Sequence, residues 1–190
     1  MFMLQKIVFK QNWRCFKKDD IIKFHKGLNL LVGDQGSGKS SIFELFLGGK
    51  KKYGEVITFK CNETRFQFFD YEKMNPRVTG YIKNKLDILS MWSSHGIINK
   101  KINKAVLKAK ENSLILMDEP DTALSPRSIL ELVDIINKMI KKKCQLVIAT
   151  HNPLLILNFN EVLSLEHRKW MKSTDFLEEH IGPNKLVYYQ

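Results

Sequence analysis

The feature that most constrains this chain is a glycine-rich octapeptide, Gly-Asp-Gln-Gly-Ser-Gly-Lys-Ser, at residues 33–40. An apolar run at residues 28–32 precedes it, as in a buried strand, and residues 40–47 favour the start of a helix. A loop of this spacing between a strand and a helix aims successive backbone N–H groups at phosphate oxygens. The helix adds its positive N-terminal end. The sequence therefore predicts a loop that binds nucleotide phosphates, with an ordinary glycine-rich turn as the alternative.

Each residue type in the loop has a physical role. The glycines allow a tight turn and a close approach of the backbone to phosphate. We expect Lys39 to reach the outer phosphates as a point charge, and the hydroxyl of Ser40 to bind Mg²⁺. The predicted nucleotide-binding residues are consecutive in the chain: Gly33, Asp34, Gln35, Gly36, Ser37, Gly38, Lys39, Ser40 and Ser41.

The charge balance indicates a polyanionic partner. The 190 residues include 31 lysines and arginines against 20 acidic residues, a formal charge of +11. Such an excess favours DNA or RNA as a partner, because each neutralised phosphate releases counterions. The alternative is a solvated surface. Lysine triplets at residues 50–52 and 141–143 fall where helices are expected to end, and cations are favourable there.

Length and the remaining composition favour a single domain, residues 1–190. No apolar run approaches the roughly 20 residues of a membrane span, and residues 1–10 lack the cleavage site of an export signal. Cys15, Cys61 and Cys144 are widely spaced, which favours reduced thiols over a metal site. We therefore expect a soluble cytoplasmic protein without membrane insertion.

Strand and helix signals alternate along the chain. The predicted strands are residues 4–9, 28–32, 56–60, 65–69, 114–117 and 146–150. The predicted helices are residues 40–47, a weak segment at 78–91, residues 93–109, and a segment that opens at Ser125-Pro126 with an apolar face of Ile129, Leu130, Val133, Ile136 and Ile140. This order implies right-handed crossovers, a parallel sheet, and ligands at the carboxyl ends of the strands.

Acidic residues and a histidine follow two of the predicted buried strands. Asp118 and Glu119 come directly after residues 114–117, and their side chains should point apart. We expect Asp118 to bind Mg²⁺, directly or through water, and Glu119 to orient or deprotonate an attacking water. His151 follows the strand at 146–150. It is either structural or a sensor that hydrogen-bonds the terminal phosphate.

Taken together, these motifs make the chain resemble the soluble ATP-binding-cassette (ABC) ATPases, close to the small AAA-type ATPases grouped with RecF-like and SMC-like heads. The resemblance implies an α/β P-loop NTPase fold of three layers, with a mainly parallel central sheet, an N-terminal antiparallel portion and a much reduced helical lobe at about residues 75–100. The matching positions are residues 33–40 (Walker A), 114–119 (Walker B), 120–125 (D-loop), His151 (switch histidine) and Ser93-Ser94-His95-Gly96 (signature).

The resemblance also implies a mechanism. In the family, two subunits pack head to tail so that the signature of one closes on the terminal phosphate held by the other. Ser94 would donate its hydroxyl and Gly96 its backbone N–H, while hydrolysis would favour separation. The implied cofactors are ATP and Mg²⁺. The implied partners are a second copy of the chain, DNA or RNA, and a partner nuclease or effector protein.

Some positions depart from the family pattern or stay open. Ile97 stands where the family commonly has glutamine or glutamate. The Q-loop glutamine stays open: Gln67 lies within the predicted strand, and Asp70 or Glu72 at the end of that strand are the alternative contacts to metal or water. The candidates for stacking on adenine are Trp13 and Phe16, with core packing as the alternative for both.

Three functions remain open on the sequence. The first is an ATP-dimerising ATPase in repair, recombination or defence, because the short region at 78–91 leaves little room for a large transporter-coupling lobe. The second is the ATP-binding subunit of a membrane transporter. The third is a small P-loop kinase, although the acidic pair, the signature and His151 argue against it.

Overall fold

The computed structural model describes residues 4–61, 66–70, 104, 106–122 and 124–182. Its strands are β1 (Leu4–Phe9), β2 (Ile21–Lys23), β3 (Leu28–Val32), β4 (Ile57–Cys61), β5 (Phe66–Asp70), β6 (Leu114–Asp118), β7 (Gln145–Ala149), β8 (Glu161–Ser164) and β9 (Lys169–Lys172). Its helices are α1 (Lys39–Tyr53), α2 (Pro126–Lys141), α3 (Pro153–Leu157) and α4 (Ser173–Ile181).

The larger sheet brings the predicted motifs to one edge. Its order is β5-β6-β7-β3-β8-β9, and all neighbouring strands are parallel except β8 and β9. Leu31 of β3 pairs with Ala149 of β7, which pairs with Asp118 of β6. These strands end at the same level, so the loops that follow them lie side by side. The mainly parallel sheet predicted from the sequence is confirmed.

The central strands are apolar throughout because other layers cover both faces. Ile115 and Met117 of β6 share a cluster with residues of α2 and α4, whereas Leu114 and Leu116 share one with residues of α1 and the N-terminal strands. All four are at most 3% exposed. Burying a side chain of this size contributes roughly 1.5–3 kcal/mol. The unbroken apolar run in β6 is the consequence, and the fold has three layers.

A smaller sheet forms the N-terminal portion. Its order is β2-β1-β4, and both pairings are antiparallel, as the resemblance implied. Its inner side joins the cluster beneath α1 through Ile7, Phe9, Ile22 and Ile57, each at most 2% exposed. The ring of Phe9 stacks on that of Phe16, with centroids 4.3 Å apart. This sheet therefore helps to support the helix that follows the phosphate loop.

The helix α2 begins where the sequence predicts. The hydroxyl of Ser125 accepts a hydrogen bond from the backbone N–H of Ser128 at 3.3 Å, and Pro126 occupies the first turn. One part of the predicted apolar face is wrong, since Leu130 is 56% exposed. Leu132 and Met139 are buried instead, because the face that meets the sheet is rotated relative to the simple three- and four-residue pattern.

The helix α1 departs from its predicted end. Gly49 has φ 56° and ψ −167°, so the helical backbone is interrupted there, two residues beyond the predicted helix at 40–47. The helical path then resumes as far as Tyr53. Residues 50–52 therefore lie before the end of α1, whereas residues 141–143 do lie at the end of α2.

Several predictions fall outside the described residues. They concern the segment at 78–91, most of the helix at 93–109, and the reduced lobe at about 75–100. The sequence did not predict β2, α3, β8, β9 or α4, and the last three complete the far side of the sheet. Within the described ranges, no helix is both long enough and apolar enough to cross a membrane.

Candidate functional site

The phosphate loop joins β3 to α1 through backbone conformations that favour glycine. Gly33, Gly36 and Gly38 have φ of 140°, 87° and 102°. A side chain at Gly33 would place a Cβ 2.7 Å from the Ser37 hydroxyl, and one at Gly38 would lie 2.5 Å from the ring of Phe16. Glycine is therefore needed at Gly33 and Gly38 both for the positive φ and for the close approach of these neighbouring side chains.

Lys39 starts α1 and turns back into the loop. Its ammonium group donates to the carbonyls of Gly33 at 2.6 Å and Asp34 at 2.9 Å, and it lies 3.3 Å from the Ser37 hydroxyl. Burial lowers the pKa of Lys39, while surrounding carboxylates, led by Glu119, act in the opposite direction. The loop thus surrounds a cation at the point where phosphate charge is expected.

The acidic pair lies at the carboxyl end of β6. Asp118 is the last residue of the strand and is partly buried. Glu119 has a positive φ of 48°, and its backbone N–H donates to the carbonyl of Ala149 at 3.1 Å. This conformation turns the chain as it leaves the sheet. The Glu119 carboxylate also accepts a hydrogen bond from the Thr122 hydroxyl at 3.3 Å.

His151 approaches the acidic pair from the neighbouring loop after β7. Its Nε2 lies 3.6 Å from Glu119 Oε1, which is close enough for charge attraction but too long for a good hydrogen bond. Burial, and then the charge of Lys39, lower the pKa of His151. The ring therefore favours its neutral form, in which one nitrogen donates and the other accepts.

A cavity of about 280 Å³ joins three of the predicted motifs. A larger cavity, of about 660 Å³, lies near the start of β3 and shares no lining residue with the motifs. We place the candidate site in the smaller cavity, because the residues predicted to bind and hydrolyse a nucleotide line it. Its lining residues are Gln35, Gly36, Gly38, Lys39, Ser40, Ser41, Glu119 and His151.

Asp121, within the predicted D-loop, is a site residue that the sequence reading did not single out. It is 7% exposed, and its Oδ2 accepts a hydrogen bond from the Thr150 hydroxyl at 2.8 Å. Burial raises the pKa of Asp121 to about 6. The Thr150 oxygen in turn accepts from the backbone N–H of Asn152 at 3.0 Å. The loops after β6 and β7 are thus tied together beneath Glu119 and His151.

The segment between β1 and β2 covers the other side of the phosphate loop. The guanidinium of Arg14 donates to the Ser41 hydroxyl at 3.0 Å, pairs with Glu44 at 2.6 Å and lies 4.5 Å from the ring centre of Trp13. Phe16 is 1% exposed. Of the two aromatic candidates, Phe16 is therefore a core residue, whereas Trp13 remains partly exposed.

The remaining predicted positions are placed as follows. Gln67 lies in β5 and is exposed, while Asp70 ends that strand and pairs in register with Asp118. The predicted site positions outside the described residues are Glu72, Ser94, Gly96 and Ile97.

Glu166 and His180 also reach the phosphate loop, and neither was predicted as a site residue. Glu166 lies in the turn between β8 and β9, and its Oε1 accepts the backbone N–H of Asp34 at 2.6 Å. His180 of α4 approaches the other oxygen of Glu166 at 2.9 Å. Because Glu166 follows Asp34 by 132 residues, only the order of strands in the sheet brings them together.

Comparison with known proteins agrees with this arrangement. A family model described as "AAA domain, putative AbiEii toxin, Type IV TA system" matches residues 105–158, a range that includes Asp118, Glu119 and His151. The galactose/methyl galactoside import ATP-binding protein MglA of Clostridium perfringens is 28% identical over 171 residues, 88% of this chain and 30% of that protein. The chain spans less than half the length of the import ATP-binding proteins that it matches, at 48% and 30%.

Solved structures give the same fold. The chain is similar to cbiO1 from Clostridium perfringens, part of the ABC transporter complex cbiONQ, with a TM-score of 0.56 and 14% identity, over 98% of this chain and 94% of that one. It is also similar to the SMC head domain from Thermotoga maritima, with a TM-score of 0.59 and 13% identity, over 86% and 94% of the two chains. At these identities the likeness is one of fold.

Proposed function

We propose that this chain, which is similar to ABC-type ATPases, binds ATP with Mg²⁺, dimerises head to tail around the nucleotide, and hydrolyses it to drive a conformational switch. The observation that carries the proposal is the cavity in which the phosphate loop, Glu119 and His151 meet. A single ATPase domain over residues 1–190, with a short signature insertion at about 75–100, is part of the same proposal.

The residues present fit a nucleotide phosphate chain. The cavity is lined by Gly36, where the space that a Cβ would occupy is open, and Lys39 supplies the central positive charge. Ser40 and Asp118 offer the hard oxygen ligands that Mg²⁺ prefers. When bound, the ion would neutralise part of the negative charge of the phosphates.

Glu119 and His151 take the chemical roles. Glu119 is half-exposed at the cavity, so its carboxylate is free to accept a proton from an attacking water. His151, whose lowered pKa favours the neutral ring, would donate one N–H to the terminal phosphate. Lys39 would hold the outer phosphates in line for attack.

The second copy of the chain would complete the site. The cavity lined by one copy is at the lower limit of ligand pockets, which typically measure roughly 300–1,000 Å³. A single copy therefore encloses little of a nucleotide. Ser94 and Gly96 of the second copy would close on the terminal phosphate, and hydrolysis would release the two copies.

Dimerisation is tested with Glu119→Gln, which keeps the side chain's size but cannot take a proton. With saturating ATP and Mg²⁺ this variant should accumulate as a dimer in light scattering, because it binds ATP and turns it over slowly. Glu131→Gln is the matched control, since Glu131 is an exposed residue of α2, and it should behave as the wild type. A Glu119→Gln variant that stays monomeric under these conditions would exclude the sandwich.

Nucleotide binding itself is tested with Lys39→Ala. Removing the charge inside the loop should abolish ATP binding in calorimetry, whereas Lys138→Ala, in the last turn of α2, should not. Wild-type affinity in Lys39→Ala would contradict the role of the loop.

The process served is proposed to be a cytoplasmic nucleic-acid transaction in repair, recombination or defence, with a nuclease or effector as partner. The +11 charge supports it, and Lys51, Lys52, Lys141 and Lys143 are exposed. DNA or RNA at low salt should change the ATPase rate or shift the protein in a gel. If neither changes, this assignment fails.

A second candidate is the ATP-binding subunit of a membrane importer, because the relative MglA is an import ATP-binding protein. Copurification with a membrane permease would favour it over the nucleic-acid role. A P-loop kinase would instead transfer phosphate from ATP to a nucleoside or sugar, and product analysis separates that outcome from hydrolysis.

A further inference from the structure

Three titratable side chains from three separate segments meet beside the phosphate loop. Asp34 belongs to the loop, Glu166 to the turn between β8 and β9, and His180 to the last turn of α4. A ligand atom from each lies within 4.8 Å of the others. None of these residues lines the cavity that holds the candidate nucleotide site.

The imidazole of His180 is held in a fixed orientation. Its Nδ1 lies 2.8 Å from the carbonyl oxygen of Phe176, so Nδ1 carries a hydrogen and donates it. The Phe176 ring stacks on the imidazole with centroids 4.0 Å apart. A histidine whose one nitrogen donates to a backbone carbonyl presents its other nitrogen as a metal ligand, and this is the usual arrangement around metal-bound histidine.

The other nitrogen, Nε2, faces an oxygen that can only accept. It lies 2.9 Å from Oε2 of Glu166, while Oε1 of the same carboxylate already accepts the Asp34 N–H. With Nδ1 committed to Phe176, the contact between Nε2 and Oε2 needs a positive species. That species is either a second proton on the ring or a cation bound to both atoms.

The ligand set favours a divalent transition cation. Two carboxylates carry a charge of −2, which a divalent ion neutralises, and one imidazole adds a nitrogen ligand. Zn²⁺ is commonly held by three protein ligands from histidine and acidic residues, with water in the remaining position. Glu166 and His180 are 28% and 17% exposed, so the ion would be partly shielded but reachable from solvent.

We propose that Asp34, Glu166 and His180 form a Zn²⁺-binding site that ties the phosphate loop to α4. The site lies outside the nucleotide cavity, and it does not depend on the proposed ATP hydrolysis. Bound Zn²⁺ restrains the loop from the β8 side.

A second histidine–glutamate pair in the same region provides a matched control. His167 Nε2 lies 2.9 Å from Glu179 Oε1, the same separation as in the proposed site. These two side chains are 34% and 49% exposed, and no third ligand joins them within the described residues. Both pairs therefore have a histidine–glutamate contact. Of the two, the His180–Glu166 pair has the carboxylate of Asp34 beside it, and the His167–Glu179 pair does not.

The test is Zn²⁺ titration of the chelator-treated protein by calorimetry at pH 7.5, without nucleotide. We expect one high-affinity Zn²⁺ per chain and an upward shift in Tm when Zn²⁺ is added. His180→Ala and Asp34→Asn should each weaken binding by roughly 10–100-fold or more, whereas His167→Ala should bind as the wild type. Asp34→Asn keeps the shape of the side chain, so it decides the outcome even if His180→Ala does not fold.

Three outcomes would overturn the site. The first is a wild-type protein that binds no Zn²⁺, which would assign the contact of His180 to a protonated ring. The second is undiminished binding in Asp34→Asn. The third is a loss of binding in His167→Ala or His151→Ala as large as in His180→Ala, which would place the ion elsewhere. Each is read without ATP turnover, so failure here leaves the proposed function intact.

Discussion

Two histidine–glutamate pairs flank the phosphate loop, and they differ in tightness. The loop follows β3, which lies between β7 and β8 in the sheet. On the β7 side, His151 and Glu119 are 3.6 Å apart, with side chains 47% and 48% exposed. On the β8 side, His180 and Glu166 are 2.9 Å apart and 17% and 28% exposed. The side chains of the first pair are separated and more exposed, whereas those of the second are in direct contact and partly shielded.

The protonation equilibria on the two sides also differ in direction. On the β7 side, burial lowers the pKa of His151 and raises that of Asp121 to about 6, so both charged forms are disfavoured. On the β8 side, burial also disfavours the charged forms of His180 and Glu166. Their hydrogen bonds outweigh it, so the pKa of His180 is raised and that of Glu166 is lowered. On the β7 side, the buried positions of His151 and Asp121 therefore lower the free energy of unfolding when these side chains are charged, in exchange for groups suited to chemistry. On the β8 side, the hydrogen bonds of His180 and Glu166 stabilise the loop.

The largest expected difference is in catalysis. Glu119→Gln should lower kcat for ATP hydrolysis by roughly 10²–10⁴-fold, because an amide cannot accept the proton of the attacking water. Glu166→Gln should raise KM for ATP more than it lowers kcat, since Glu166 contacts the backbone of the loop. Steady-state rates of phosphate release at varied ATP concentration give kcat and KM for each variant. Equal losses of kcat in the two variants would remove the distinction between the sides.

Next in size is the stability effect of Asp121. Burial raises the pKa of Asp121 from its ordinary value of 3.8 to about 6, so the folded protein binds this proton more tightly than the unfolded chain. The resulting stability is complete below pH 3.8 and is lost as the pH rises through about 6. Asp121→Asn should therefore increase the free energy of unfolding at pH 7.5 by at most about 3 kcal/mol.

Urea denaturation at pH 4.5 and pH 7.5 measures that effect. Asp134→Asn, on the exposed side of α2, is the control and should change little at either pH. A destabilised Asp121→Asn at pH 7.5 would show that the hydrogen bond from Thr150 requires the carboxylate.

A smaller contrast is expected between the two histidines. His151→Ala should lower kcat by roughly 10–100-fold, the equivalent of one hydrogen bond to a charged group, with little change in stability. His180→Ala should reduce the free energy of unfolding by about 1 kcal/mol. Turnover assays with Mg²⁺ measure the first effect. Urea denaturation, carried out separately in the presence of a chelator, measures the second. A stability loss in His151→Ala as large as in His180→Ala would contradict the loose character of the first pair.

The smallest expected effect is a difference in how the two histidines make the free energy of unfolding depend on pH. The raised pKa of His180 gives stability that is full below pH 6.5 and is lost as the pH rises through the folded pKa. The lowered pKa of His151 acts oppositely, because stability rises with pH up to 6.5. Subtracting each alanine variant's unfolding free energy from that of the wild type, between pH 5 and 8, should give slopes of opposite sign. Slopes of the same sign would refute the comparison.

The sequence predicted the β7 side of the site but not the β8 side. The octapeptide, the acidic end of β6 and the histidine after β7 are local patterns with a known chemistry, and the parallel sheet follows from their order. Glu166 and His180 form no such pattern, because Glu166 contacts a loop residue 132 positions away in the chain. The sequence also could not decide whether Phe16 is buried, because its place in the core depends on how residues 10–20 fold against α1.

The position of β3 at the centre of the sheet has a consequence for biosynthesis. Leu31 pairs with Ala149 on one side and with Leu163 on the other, so both neighbours emerge from the ribosome long after β3 itself. At typical elongation rates the delay is on the order of ten seconds. During that time the glycine loop has neither flanking strand, and a nascent chain gains its phosphate cradle only after β8 has been translated.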